Sequence, residues 1–373
     1  MKDTMGIILT MDSNNMLYDL TLERAVAAVP FGGRYRIIDF ILSSMVNSNI
    51  SNVGVVTHSK YQSLMDHLGS GKEWDLDRKL AGLFIFPPNI SKQSVDSGKG
   101  NLEELYNIIH YLRRSKQKYV VIAESGMIFN MVFDEALEYH ISKEADITVI
   151  YNSQEERKLK ELSKFTSLNT DKNGQIIKME INPRFPKSNK VSMNVYIIKK
   201  VLLENLIDEC VSNGYNDFES DLLQKNLGNL RVFAYGYDGY VARINTIRSY
   251  FKNSMELLKR KTMHELFSGE MPVYTKVKDE VPTMYGENAK IKNSLIADGC
   301  FIEGEVKNSI LFRGVRVSKN AKISDSIIMQ NSEIHENSIL GNVILDKEVI
   351  VRVDKRLTGQ ADYPIVIGKG GII

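Results

Sequence analysis

From Ile291 to Ile350, an aliphatic residue returns at steps of five or six positions, with one longer step between Ile302 and Val317: Ile291, Ile296, Ile302, Val317, Ile323, Ile328, Ile334, Ile339, Ile344 and Ile350. Neither an α-helix nor a long half-buried strand has that period. Short β-segments separated by turns do have it when they stack, because each turn of a solenoid presents a small or aliphatic residue inward and relies on its neighbours to bury it. The spacing predicts a parallel β-helix over the C-terminal part of the chain.

The first part follows a different rule. Short apolar runs at Gly6–Leu9, Ser51–Val56, Tyr119–Ala123 and Ala145–Ile150 alternate with segments such as Ile38–Met45 and Leu102–Leu112, whose apolar residues fall three or four apart. That alternation predicts parallel strands covered by crossover helices, an α/β domain. Turn residues at Asn169–Gly174 lead into a β-run at Ile176–Ile177, and Val191–Ile198 reads as another strand. A helical pattern returns at Thr246–Leu258, followed by a proline-punctuated stretch through Gly286. We therefore expect an α/β domain over 1–255, a linker over 256–288 and the solenoid over 289–373.

Several functional classes are excluded by composition. The 48 basic and 46 acidic residues leave a net charge of only +2, with no basic tract or aromatic-studded basic stripe, which argues against nucleic acid as a partner. The apolar run Met5–Leu9 is too short for a signal-peptide core or a membrane helix, so no membrane association and a cytoplasmic location are expected. Cys210 and Cys300 lie far apart, without His or Cys companions at metal spacing, and read as two buried thiols.

Against this background stands the run Pro30-Phe31-Gly32-Gly33-Arg34-Tyr35-Arg36-Ile37-Ile38-Asp39-Phe40, accompanied by Asn47–Ile50, Trp74–Arg78, Pro186–Asn189 and Asp325–Met329. Together these segments resemble the ADP-glucose pyrophosphorylase family, the bacterial glucose-1-phosphate adenylyltransferases. The resemblance covers nearly the whole chain. It implies a Rossmann-like nucleotidyltransferase domain followed by a left-handed parallel β-helix of hexapeptide-type repeats.

The same resemblance makes the departures informative. Family members carry a glycine-rich loop ending in arginine, because bare backbone amides and a guanidinium must hold the triphosphate. Here the loop is Thr10-Met11-Asp12-Ser13-Asn14-Asn15-Met16-Leu17, with Asp12 bringing negative charge and Met16 at the arginine position. Two acids should hold the magnesium that bridges the phosphates. Gly126 stands at the first position, with Glu124 two residues out of register, and Arg243 replaces the second within Gly239–Ile247. An arginine neither ligates a cation nor gives up its proton.

On the sugar-phosphate side the family's Glu-Glu-Lys-Pro reads Glu180-Ile181-Asn182-Pro183, so Ile181 and Asn182 stand where acid and lysine are expected. The family's Ser-Met-Gly reads Ser192-Met193-Asn194, and a Lys-Pro-Ala element has become Val26-Ala27-Ala28, losing a further cation at Val26. Losing one preorganised transition-state donor costs roughly 10² to 10³ in rate, and these losses converge on one reaction. The pattern is similar to that of the regulatory, non-catalytic paralogue found beside the catalytic subunit in some Gram-positive bacteria.

That resemblance implies a catalytically impaired subunit of a heterotetramer, whose catalytic partner makes ADP-glucose from ATP and glucose 1-phosphate for glycogen synthesis. It implies no catalytic residue, metal or cofactor in this chain, magnesium being needed only in the partner. Arg24, Arg34 and Arg36 are the candidate contacts for a sugar-phosphate or phosphate effector, since arginine suits such anions through paired hydrogen bonds. Glu23 stands where several family members have an effector-contacting lysine. Asp39 reads as a structural acid at a helix start, and Trp74 as part of a lid or an internally bonded loop. The alternatives are a weakly active autonomous adenylyltransferase and, more distantly, a β-helix acyltransferase using His335 as general base.

Overall fold

The computed structural model describes residues 1–10, 16–88, 101–155, 159, 164–267 and 271–373. Two compact units result: 1–13, 41–61 and 69–241 form one, and 14–40, 62–68 and 242–373 the other.

The first unit is built on a nine-stranded sheet. Strand Thr4–Leu9 pairs in parallel with Asn52–Val56 on one side and Tyr119–Glu124 on the other, Gly6 lying opposite both Val53 and Val121. All six residues of Thr4–Leu9 are buried, as a central parallel strand covered on both faces requires. The parallel expectation holds for this part and is corrected further along. Lys190–Lys199 runs antiparallel to both Tyr119–Glu124 and Ile147–Ser153, so the sheet is mixed. Gly82–Phe86 and Val232–Gly236 are additional strands that the apolar runs did not reveal. The pattern over Leu102–Leu112 forms two short helices, Asn101–Asn107 and Ile109–Arg114, with Leu102, Leu105, Ile109 and Leu112 turned into the core.

The second unit carries three five-stranded parallel sheets, the three sides of a left-handed β-helix. Its strands are two or three residues long, and each pairs with its counterpart one coil later: Ile302 with Val317, Val317 with Ile334, Ile334 with Val351. Corners are turned by residues in the left-handed backbone region, Asn293, Asn308, Asp325 and Asn342, with φ of 47°, 46°, 47° and 52°. Asn and Asp tolerate that conformation better than other side-chain-bearing residues. The serines that follow bind the next coil: the Ser309 hydroxyl receives the Ser326 amide at 3.2 Å, and the Ser326 hydroxyl receives the Val343 amide at 3.3 Å.

The aliphatic spacing marks the inward face correctly at Ile302, Val317, Ile323, Ile328 and Ile334, then slips by one residue. Leu340, Leu345 and Val351 belong to the solenoid core, not their neighbours Ile339, Ile344 and Ile350. Adjacent strand residues face opposite sides, so a one-residue slip turns every side chain outward. Ile291 and Ile339 are exposed, whereas Ile344 lies off the solenoid core yet is fully buried.

Segment 14–40 belongs to this second unit. Pro30–Phe31 pairs antiparallel with Tyr35–Arg36 across Gly32 and Gly33, whose φ of 62° and 85° suit a tight hairpin turn that side chains would strain. The Tyr250 hydroxyl donates to the Pro30 carbonyl at 2.8 Å, and Tyr35 stacks on Phe267 with ring centroids 5.0 Å apart. Thr246 and Ser249 close a reciprocal capping box at the start of helix Ile247–Glu256. Within 256–288 lies the helix Arg260–Phe267. No described helix is long and apolar enough to cross a membrane.

Candidate functional site

Asp12 lies outside the described residues. Met16, at the arginine position, serves as a backbone tie: its amide donates to the Asn245 carbonyl at 3.0 Å, and its own carbonyl receives the Ile247 amide at 3.2 Å. Val26 sits in the short helix Val26–Ala28, where every side chain is buried, so the expected lysine is replaced by core packing. Arg243 is half-buried on the strand Ala242–Arg243, two residues before that Asn245 carbonyl.

In the first unit, Gly126 occupies the turn between strands Tyr119–Glu124 and Met127–Ile128 and offers no side chain. Ile181 ends its strand opposite Thr166. Asn182 is an exposed turn residue with φ 49°, its amide donating to the Phe165 carbonyl at 2.8 Å. The buried Glu124 accepts from the Asn194 side-chain amide, and from that of Asn101 at 3.5 Å. Neither position supplies a magnesium ligand: Gly126 has no ligand atom and Arg243 carries a fixed positive charge. Among the described residues, no three His, Cys, Asp or Glu side chains converge as a cation site.

The cations of the second unit are arranged differently. Arg24 is buried, and its two terminal nitrogens donate to the two Asp346 oxygens at 2.9 and 2.8 Å. Its charge is thereby matched, whereas Arg34 is exposed, with its guanidinium 5.7 Å from the Tyr35 ring centroid. Arg36 is half-buried and donates to the Ser63 carbonyl and, at 2.9 Å, to the Ser63 hydroxyl. Its own amide donates to Asp39 at 2.9 Å, and the other Asp39 oxygen meets His67 Nε2 at 2.6 Å. Asp39 therefore holds the loop backbone and a buried imidazole, the structural role expected of it.

Lys347 joins this group, a residue no motif in the sequence singled out. Burial first, then the charges of Arg36 and Arg24, push its ammonium down to about 7, against the pull of Asp346. Burial, with Arg24 adding to it, also pushes Arg36 down to about 10 despite the opposing charge of Asp39. Two cations held below their ordinary range by partial burial and by the positive charge of Arg24, with Arg36 adding to it at Lys347, form a patch that an anion would relieve.

Two further sequence candidates resolve plainly. Trp74 is buried in a loop closed by the Arg78–Asp75 ion pair and by the Ser70 hydroxyl on Asp77 at 3.2 Å, an internally bonded loop. His335 is partly exposed, 3.6 Å from Glu333.

The sequence matches the nucleotidyl transferase family over residues 5–260 and a GlmU-like C-terminal hexapeptide family over residues 279–360. It is similar to the glycogen biosynthesis protein GlgD of Bacillus subtilis, 37% identical over 366 residues that cover 98% of this chain and 96% of that protein. It is also similar to the glucose-1-phosphate adenylyltransferase of Bacillus cytotoxicus, 36% identical over 379 residues covering 99% of each. Near-equal overall identity does not separate the two relatives, so the individual positions must.

Proposed function

The chain belongs to the nucleotidyl transferase family, and on that premise we propose that it is a catalytically impaired, regulatory subunit of a cytoplasmic glucose-1-phosphate adenylyltransferase. It assembles with a catalytic paralogue, as a heterotetramer, and serves ADP-glucose formation for glycogen synthesis. The observation that carries this reading is the pair Gly126 and Arg243 at the two positions where the family resemblance calls for metal-binding acids. A fixed positive charge opposes a divalent ion, and without that ion the displaced phosphate charge has no counterweight.

The test is ADP-glucose synthesis from ATP, glucose 1-phosphate and magnesium by this chain alone, by its catalytic paralogue alone and by the two co-expressed. The isolated chain is expected to fall at least ~10³-fold below the paralogue. Co-purification, with a changed rate or effector response in the pair, supports the subunit reading; robust turnover by the isolated chain overturns it.

The patch around Arg36 and Lys347 supports an anionic effector, a sugar phosphate or phosphate. With Lys347 near 7, an anion binds the protonated form better, so affinity falls as pH rises from about 6 to 8.5 and binding near pH 7 takes up a proton. Sulfate, whose charge is constant over that range, is the probe. Calorimetry in buffers of differing ionisation enthalpy should register the proton, and Lys347→Gln should weaken binding roughly tenfold and flatten its pH dependence. An unchanged pH profile in that variant removes Lys347 from the site.

A further inference from the structure

Strand Lys190–Lys199 breaks its register against Ile147–Ser153 between Ser192 and Val195. An irregularity of this kind re-aims side chains. Asn194 takes a left-handed backbone there (φ 53°), with its amide donating to the Ser192 hydroxyl oxygen at 3.1 Å. The result is a set of polar groups on one side of the first unit: Ser192 and Tyr196 from this strand, and Thr166 from the strand that also faces Ile181.

All three hydroxyls converge on one carboxylate. Tyr196 donates to Glu219 Oε1 at 2.6 Å, Ser192 donates to the same oxygen at 3.4 Å, and Thr166 donates to Oε2 at 2.6 Å. The donors are buried, with Tyr196 and Thr166 each 2% exposed and Ser192 fully covered, whereas Glu219 itself is half-buried. A buried cradle of oriented O–H donors facing a partly open side is what an oxyanion or a sugar oxygen needs. Here an internal anion fills it, and the neighbouring Asn194 amide is likewise turned onto Glu124.

We propose that Glu219 is an internal occupant of the sugar-phosphate side of this unit, holding with its carboxylate the hydroxyls that a hexose phosphate would otherwise engage. Its negative charge also repels phosphate from the same place. The proposal goes beyond the missing metal ligands, because it names a group that is present and blocks binding, and it rests on the family reading for which side of the unit faces the sugar.

The test uses the full-length chain in a Lys347→Gln background, which weakens the basic patch as a competing phosphate site. Titration with glucose 1-phosphate is expected to give no saturable heat when Glu219 is intact. Glu219→Ala should add a site at least roughly tenfold tighter than any residual binding, the scale of a charge-assisted hydrogen bond regained. A folded Glu219→Ala chain that gains nothing, or a chain with Glu219 intact that binds equally well, overturns the proposal. Should the alanine variant fail to fold, Glu219→Gln keeps the size and the hydroxyl partners while dropping the charge. A severalfold gain then supports the proposal, and no gain overturns it. The assay contains no catalytic paralogue, so its failure leaves the subunit reading to be judged on co-expression alone.

Discussion

Two adjacent residues should behave in opposite ways: Leu340→Asp is expected to unfold the solenoid, whereas Ile339→Asp should shift the urea midpoint by no more than about 1 kcal/mol in stability. Leu340 is 1% exposed and stacks in register between Ile323 and Leu357, while Ile339 is 39% exposed on the other face of the same strand. Removing the Leu340 side chain to alanine costs roughly 2–5 kcal/mol for the lost burial and the cavity. A carboxylate at that point adds the desolvation of an unpaired charge. Because each coil is buried only by its neighbours, the loss spreads to the coils on either side. The reverse ordering, with Ile339→Asp unfolding the solenoid and Leu340→Asp tolerated, would mean that the inward register over these coils is that of Ile339.

The slip at Ile339 also shows where sequence reading reached its limit. Spacing of aliphatic residues established that a solenoid exists, because only stacking buries such a pattern. It could not choose between Ile339 and Leu340, since both are aliphatic and adjacent. The corner residues would have settled it: Asn308-Ser309, Asp325-Ser326 and Asn342-Val343 are in equivalent places, and the left-handed Asn or Asp fixes the phase of each coil. In the first unit, the strands with continuous apolar runs were legible, but Gly82–Phe86 and Val232–Gly236 were not, because short runs with aromatic and glycine residues carry no clear period.

The site was legible in what it lacks and opaque in what it holds. Met16, Val26, Gly126 and Arg243 could be read against a family pattern, one position at a time. Lys347 and Glu219 could not, because their significance depends on residues distant in sequence: Arg36 and Arg24 for the lysine, Thr166, Ser192 and Tyr196 for the glutamate. The retained run from Pro30 to Phe40 has a structural explanation as well. Its hairpin, its aromatic contacts and Asp39 hold the second unit together, a structural role for these residues that requires no chemistry.

The same unit contains a buried long-range ion pair, Arg24 with Asp346, and Asp346→Ala is expected to destabilise it by about 3–5 kcal/mol. Asp346 is 1% exposed and Arg24 only 4%, so the substitution leaves a guanidinium with neither water nor a counter-charge. The lost pair is bidentate and joins residues 322 positions apart in sequence. Arg24→Ala strands the carboxylate instead, although Asp346 keeps one donor, the Lys347 amide at 2.8 Å. Removing both partners should cost much less than the two single losses combined, because neither charge is then left buried alone. Replacing the pair with apolar residues of similar volume, Arg24→Met with Asp346→Leu, should recover most of the stability. A double-mutant cycle on the urea midpoint measures this coupling directly. A coupling energy near zero would mean that the pair is open to solvent and adds nothing to holding segment 14–40 in the second unit.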